Sequence, residues 1–479
     1  MKVCVLQPDY STSSVDYKNY DPPRDLQRLL PGHQVDHVFL NKLTTYKQLI
    51  ELRYSGYDIF VNLCEGYLDW DIPSVDVIYA LETLNFPFTG PTSRLYDPSK
   101  ELMKYVAFTE DILTPRYALV NQSTDLPHAV RKLKYPLFVK PAKAGDSLGI
   151  DNHSMVDGYE QLDSKVSSLL DEYPALLIEE YIDGKEFTVL VAADPTNEKQ
   201  CRTFKPVEYI FPKGFSFKTY ALKTSELHTD ANIPCTDPDL ERRLRQSAQR
   251  IFRGFGGVGY ARLDFRVNDK GDIFFLEINF TCSVFYSDGY EGSADYILKF
   301  DGIGQQGFLN HIIDEGIYRY KTQQKKYLMK GDSINGFGIY ADRPIKQNEV
   351  IFNNESRGHR IVTKRYVDQH WTPVEKDLFA RYAVPLSKNL YILWDDDPTV
   401  WAPQNHSCEP NTAYDGLNVV ALKNIEPGQE LTLDYATFLD ETMEPFECQC
   451  QSVHCRGIIR GTPGNSMEKR EAAYSVFKA

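Results

Sequence analysis

Two groups of side chains in this chain of 479 residues have types and spacings that could do chemistry. In the stretch Tyr260 to Asn279, Asp264, Glu277 and Asn279 offer oxygen atoms and Arg262 a cation. Tyr260 to Val267 and Asp272 to Ile278 read as β-type runs joined by the turn residues Asn268 to Gly271, an antiparallel hairpin. Alternate residues of a strand share a face, so Glu277 points with Asn279 and Arg262 with Asp264. Hard cations such as Mg²⁺ or Mn²⁺ take oxygen ligands and keep waters or substrate phosphates in the rest of their shell. The trio could hold one, with Arg262 against a phosphate oxygen. A charged strand face is more often a solvated sheet edge, but the apolar neighbours Leu276 and Ile278 turn this one toward a site. The second group is Cys448, Cys450 and Cys455, spaced Cys-x-Cys-x₄-Cys, with Cys408 upstream. Four thiolates fit a tetrahedral structural Zn²⁺, and the alternative is four free thiols. Cys4, Cys64, Cys201, Cys235 and Cys282 are scattered and read as reduced packing residues.

The elements that must position the hairpin lie upstream. Residues 1 to about 95 alternate strand and helix patterns: Lys2 to Leu6, a helical Arg24 to Leu30, Val35 to Leu40, a helical Thr44 to Tyr54, and Asp58 to Leu63. Such alternation predicts a parallel sheet with helices on its faces. Asp97-Pro98-Ser99 opens a helix carrying Lys100 and Lys104. Leu137 to Pro141 is a β-run ending in Lys140, followed by a loop with Gly145, Ser147 and Gly149 that lets backbone N–H groups approach phosphate oxygens. Leu176 to Tyr181 is a buried-strand pattern containing Glu179, with Glu186 shortly after. Asp237-Pro238 opens a helix with an apolar stripe at Leu240, Leu244, Ala248, Ile251 and Phe252, leaving Arg242, Arg243, Arg245 and Arg250 on a solvated face.

With these residues in place the chain resembles the ATP-grasp superfamily, in detail its D-alanine–D-alanine ligase branch, whose metal hairpin runs Arg-hydrophobic-Asp then Glu-hydrophobic-Asn. The resemblance implies an α/β (α+β) ATP-grasp fold that uses ATP. It implies nucleotide contacts at Lys100, Lys140, Ser147 and Lys223, with Glu179 near the base and Glu186 near the ribose. It also implies metal ligation by Asp264, Glu277 and Asn279 and a catalytic Arg262. Phe217 to Lys223 would be the lid loop. The chain departs from the family in three places. Tyr10 to Tyr20 has no match for the glutamate that orients the amino-acid substrate, Asp146 replaces a serine, and Thr281 to Gly292 lacks the Pro-Gly-Met turn. D-alanine is therefore not implied as substrate.

Beyond a lysine-rich connector at Tyr318 to Lys330 the chain changes to short strands. Gly336-Phe-Gly338, then Asn405-His406-Ser-Cys408 after an acidic and aromatic insertion, then Leu433-Asp434-Tyr435, resemble in that order the SET-domain methyltransferases. The likeness implies a mostly β SET domain with a zinc-bound C-terminal tail. It implies that Gly336, Gly338, Asn405 and His406 bind S-adenosyl-L-methionine, with Tyr435 at the methyl-transfer channel as a catalytic and cofactor-contacting residue. Cys408, Cys448, Cys450 and Cys455 then resemble the post-SET zinc cluster.

The length suits about three domains. The boundaries read 1–97 for a first α/β lobe, 98–320 for the ATP-binding and catalytic lobes, 321–462 for the SET domain with its zinc cluster, and 463–479 for a tail. A net charge of −14 argues against nucleic acid or an anionic membrane as partner, and no apolar run spans a bilayer, which predicts a cytoplasmic protein. Together the two resemblances imply an ATP-dependent carboxylate–amine ligase acting on amino acids or peptides, fused to a methyltransferase for a lysine, on a protein or peptide, or for another amine. A homodimer stays open. So do two other readings: an ATP-grasp part that only senses nucleotide or docks, and a SET-like part that only binds peptides.

Overall fold

The computed structural model describes residues 1–13, 21–66, 71–143, 148–197, 199–217, 231–323, 326–332, 336–353, 359–394 and 404–467. The chain divides into two compact units, Met1–Gln323 and Gln324–Ala479.

The first unit opens on β1 (Lys2–Pro8), β2 (Gln34–Leu40) and β3 (Ile59–Asn62), paired in parallel in the order β2-β1-β3. Side chains alternate across β1: Val3 and Val5 enter one core with Ile59 and Val61, while Cys4 and Leu6 enter another with Leu49 and Ile78. The latter two come from α1 (Thr45–Glu51) and α2 (Val75–Thr83). The helix expected over Arg24 to Leu30 is absent, and only Gln27–Leu29 makes a 3-10 turn. The Gln7 side chain explains this, since its Oε1 accepts the Arg24 backbone N–H at 2.7 Å and its Nε2 donates to the Arg24 carbonyl at 3.1 Å. The carbonyl that would accept the first intrahelical bond is then already taken.

α3 (Lys100–Thr109) is capped by Ser99, whose hydroxyl accepts from the Leu102 N–H. A second, antiparallel sheet follows in the order β4-β7-β5-β6, from β4 (Tyr117–Val120), β5 (Leu137–Pro141), β6 (Met155–Val156) and β7 (Leu176–Glu180). It packs on α4 (Tyr159–Leu170) through Leu162, Val166 and Leu169. The third sheet runs β11-β10-β8-β12-β13, with β9 beside β8. Its strands are β8 (Lys185–Ala193), β9 (Cys201–Thr203), β10 (Val207–Tyr209), β11 (Asn232–Pro234), β12 (Tyr260–Val267) and β13 (Ile273–Asn279).

α5 (Pro238–Gly254) covers this sheet with the expected stripe, burying Leu244, Ala248, Ile251 and Phe252 together with Met103 and Val106 of α3. Arg245, expected on a solvated face, instead turns inward to Glu241 at 2.8 Å and the Thr203 carbonyl at 2.5 Å. α6 (Ser293–Asp301) and α7 (Gly304–Gln323) close the unit. The expected connector at Tyr318 to Lys330 is therefore mostly the end of α7 and the start of β14 (Tyr327–Asp332). Of the scattered cysteines, Cys4, Cys64, Cys235 and Cys282 are buried and Cys201 is half-buried.

The second unit is built of short strands around Ile339, Ile345, Ile392, Ile425 and Leu431. β15 (Gly336–Ala341) pairs with β14, β16 (Val350–Phe352) pairs with Asn418–Ala421, and β17 (His359–Thr363) pairs with Leu390–Trp394. The insertion read only as acidic and aromatic contains α8 (Lys364–His370) and α9 (Pro373–Tyr382). No helix among the described residues is long and apolar enough to cross a membrane.

Candidate functional site

The hairpin forms as its residues predict. β12 and β13 pair antiparallel, with Arg262 opposite Asn279 and Asp264 opposite Glu277, so the four side chains stand in two facing rows. A register shift falls between Asp264 and Phe265, a place where a bulge re-aims a side chain. Asp264 is buried, and the Arg262 guanidinium forks onto it with two contacts of 3.3 Å. Burial works against the charge on Arg262, but Asp264 outweighs it and holds the guanidinium protonated. Asn279 Nδ2 is buried with no hydrogen-bond partner among the described residues. A buried amide left unpaired costs free energy, and a half-turn of that amide presents Oδ1 in the same place. Two carboxylates and an amide oxygen are a donor set that suits Mg²⁺.

Lys100, Lys140, Glu179, Glu186, Arg262, Asp264 and Glu277 line one cleft, whose apolar walls include Phe138, Leu148, Tyr181, Phe217 and Leu276. α3 delivers Lys100 and Lys104 to this side, one turn apart, and both are buried. Glu179 on β7 sits between two ammonium groups, 2.6 Å from Lys140 Nζ and in close contact with Lys104 Nζ. Burial pushes the Glu179 carboxyl up, but Lys140 and Lys104 overcome it and bring it down to about 2. Burial pushes Lys140 down, and Glu179 and Glu277 more than restore it. Lys104 ends below its ordinary value because burial outweighs the help of Glu179. Lys100 is likewise lowered by burial, with Glu277 opposing and Lys140 adding to the shift. Glu186 pairs with Arg266 at 3.3 Å, and Arg266 stacks over the Tyr181 ring at 4.9 Å.

The cleft thus gathers most of the residues expected of it. Ser147 and Lys223 lie outside the described residues, as does Asp146. Lys104 and Arg266 were not anticipated. Lys104 had a signal, since a residue four positions after Lys100 shares its helix face, whereas Arg266 had only its place two residues beyond Asp264. Glu179→Gln should cost about 3–5 kcal/mol of stability, because it leaves buried ammonium groups without their counter-charge; urea unfolding of the variant measures it. The sign with pH follows from the depressed carboxyl. Its stabilisation is complete above the ordinary value of 4.5 and is lost as pH falls toward about 2.

In the second unit the three motifs also meet. Asn405–His406 pairs in parallel with Thr432–Leu433. Asn405 Nδ2 donates to the Phe337 carbonyl at 3.0 Å and to Glu430 Oε1 at 2.8 Å, which ties the Gly336–Gly338 strand to the Asn-His motif. A Cβ on Gly338 would stand 2.4 Å from Glu430 Oε1 and 3.1 Å from Asn405 Nδ2, so a larger residue there would displace the Glu430 carboxylate that Asn405 holds. The Tyr435 hydroxyl donates to the Gln404 carbonyl at 2.6 Å, and burial raises it far above the ordinary phenol range. Tyr435 keeps its proton. The ligand atoms of Cys408, Cys448, Cys450 and Cys455 all lie within 4.8 Å of one another, a spacing that a single tetrahedral ion can bridge.

Residues 104–285 match the family model described as the D-ala D-ala ligase C-terminus, and residues 336–436 match the SET domain. A D-alanine–D-alanine ligase of Cupriavidus necator is 27% identical over 240 residues, covering 49% of this chain and 69% of the relative. That of Cupriavidus metallidurans is 32% identical over 203 residues, covering 42% of this chain and 59% of the relative. The matches therefore span only part of those relatives' own length. The crystal structure of the Bacillus anthracis D-alanine–D-alanine ligase complexed with ATP superposes with a TM-score of 0.50 at 18% identity, covering 68% of this chain and all of that one, a likeness of fold. Residues 104–285 are thus similar to the C-terminal part of D-alanine–D-alanine ligases, and residues 336–436 to SET domains.

Proposed function

We propose that the first unit is an ATP-dependent carboxylate–amine ligase and that the second is an S-adenosylmethionine-dependent methyltransferase acting on an amine. The convergence of Lys100, Lys140 and Arg262 with Asp264 and Glu277 in one cleft carries the reading. Asp264, Glu277 and Asn279 would hold Mg²⁺ or Mn²⁺, which would supply Lewis-acid charge to the phosphate oxygens. A substrate carboxylate takes the γ-phosphoryl of ATP, ADP leaves, and an amine displaces phosphate from the acylphosphate to leave an amide. Arg262 faces the oxygens of the transferred group, and Lys100 and Lys140, with Ser147 and Lys223, hold the remaining phosphates, so positioning and charge carry the catalysis. Glu179 fixes Lys140 beside the base, and Glu186 receives the ribose.

In the second unit Gly336, Gly338, Asn405 and His406 seat S-adenosylmethionine, which supplies an electrophilic methyl group. The protonated Tyr435 hydroxyl and nearby carbonyl oxygens orient the attacking amine. The substrates of the ligase are amino acids or peptides, and the methyl acceptor is a lysine of a protein or peptide, or another amine. Both parts are catalytic in this reading. The test is ADP release with ATP, Mg²⁺ and pooled amino acids, run with and without labelled S-adenosylmethionine, with products weighed by mass spectrometry. Background ADP with every pool would defeat the ligase reading, and absence of label from all products and from added histones or peptides would defeat the methyltransferase reading.

A further inference from the structure

We propose that His406 is a positioning residue that couples the four-cysteine cluster to the methyl-transfer tyrosine. This rests on the methyltransferase reading above and goes beyond it. The Tyr435 backbone N–H can only donate, and it points at His406 Nδ1 at 3.2 Å. Nδ1 is therefore the acceptor, and the single proton of the neutral ring sits on Nε2. That nitrogen stands 3.4 Å from Cys408 Sγ, so the ring donates to one of the four sulfurs while it accepts from the tyrosine's own backbone. Two further groups face the ring, Asp434 Oδ1 at 3.8 Å from Nδ1 and the Leu433 backbone carbonyl. The ring is fixed by its surroundings: its side chain is only 3% exposed, and its plane stands edge to face with the rings of Tyr435 and Phe446 at 5.4 and 5.7 Å.

A second strut runs alongside. Arg456, the residue after Cys455, donates its backbone N–H to Cys408 Sγ at 3.4 Å and its guanidinium to Asp434 Oδ1 at 2.5 Å. Asp434 in turn accepts the Ala436 N–H at 3.2 Å and so caps the turn that carries Tyr435. Cys408 is thus the point where both struts leave the cluster, and both end on the backbone around Tyr435. Groups that hydrogen-bond a metal ligand orient it and tune its basicity, and their loss typically costs 10–100-fold in metal affinity. A strut that holds a thiolate at one end and a backbone amide at the other transmits metal occupancy to that amide. By reciprocity, cofactor binding at the tyrosine's end must change metal affinity by the same factor.

The full chain is tested with Co²⁺ in place of zinc, since a thiolate-to-cobalt charge-transfer band reports the sulfurs without turnover. Selective ¹⁵N labelling of histidine reports the tautomer of His406 in the unaltered protein. The expected results are an Nε2–H ring whose Nε2 signal moves on adding Co²⁺, and S-adenosylmethionine affinity at least about fivefold tighter with metal than without. His406→Phe should weaken Co²⁺ binding on the order of 10–100-fold, shift the band, and cut the metal dependence of cofactor affinity to the part that the Arg456–Asp434 strut carries. His406→Gln, whose amide can accept from Tyr435 and donate to Cys408, should restore most of both. An Nδ1–H ring in the unaltered protein overturns the coupling without recourse to any variant. Equal Co²⁺ affinity and an unmoved band in His406→Phe overturn it too. An unaltered chain that takes up no Co²⁺ overturns the thiolate site itself, and the coupling with it.

Discussion

Glu277→Gln is expected to lower Mg²⁺-dependent ADP formation on the order of 10²–10³-fold, about 3–4 kcal/mol of transition-state stabilisation, with the fold intact. The amide matches the carboxylate in volume, and Glu277 stands opposite Asp264 across the hairpin, so the change removes one charged oxygen ligand and little packing. It also acts at a distance. Glu277 supports the charge on both Lys140 and Lys100, and without it burial dominates at Lys100 and drives its ammonium further down. The variant should therefore bind ATP more weakly as well as turn it over more slowly, and raising Mg²⁺ should recover part of the binding. Calorimetric ATP titration beside a coupled ADP assay separates the two effects. Unchanged ADP production would remove Asp264, Glu277 and Asn279 from the chemistry altogether.

The second large effect is expected at the cysteines. Structural zinc contributes on the order of 10–16 kcal/mol in small metal-organised folds at neutral pH, far more than the net stability of a domain. Elemental analysis should find about one zinc per chain, and Cys408→Ser should lose most of it. Chelation should melt the region from Phe446 to Ile459, whose pairing is only two residues long on each side. ATP binding belongs to the Met1–Gln323 unit, which has cores of its own, and should survive. A metal-free chain with the same thermal transition and the same near-ultraviolet circular dichroism would show that the thiols pack without an ion.

What could be read from residues alone was what local periodicity governs. The hairpin was legible because strand alternation and turn residues are set within twenty positions, whereas the register that sets Arg262 opposite Asn279 came only with the structure. The stripe of α5 was legible for the same reason. Arg24 to Leu30 misled because the groups that prevent the helix come from Gln7, on another strand. Arg266 was missed because only tertiary structure brings Glu186 to it, while Lys104 shared a helix face with Lys100 and its partner Glu179 came only with the fold. One of the two helices inside the second unit, α9, had a signal that went unread: Thr372 and Glu375 form a reciprocal cap, with a proline in the first turn. Lys223 rests on resemblance alone.

The distribution of sulfur along the chain divides its chemistry in a further way. In the first unit the thiols are packed away, and burial pushes Cys4 and Cys282 up to about 12 and Cys201 to about 11, so they stay protonated and poorly nucleophilic. The four sulfurs of the second unit are gathered at one partly accessible place. Mild peroxide should therefore expel the metal and silence methyl transfer while ADP formation continues, giving the two halves of one polypeptide different thresholds for oxidative damage.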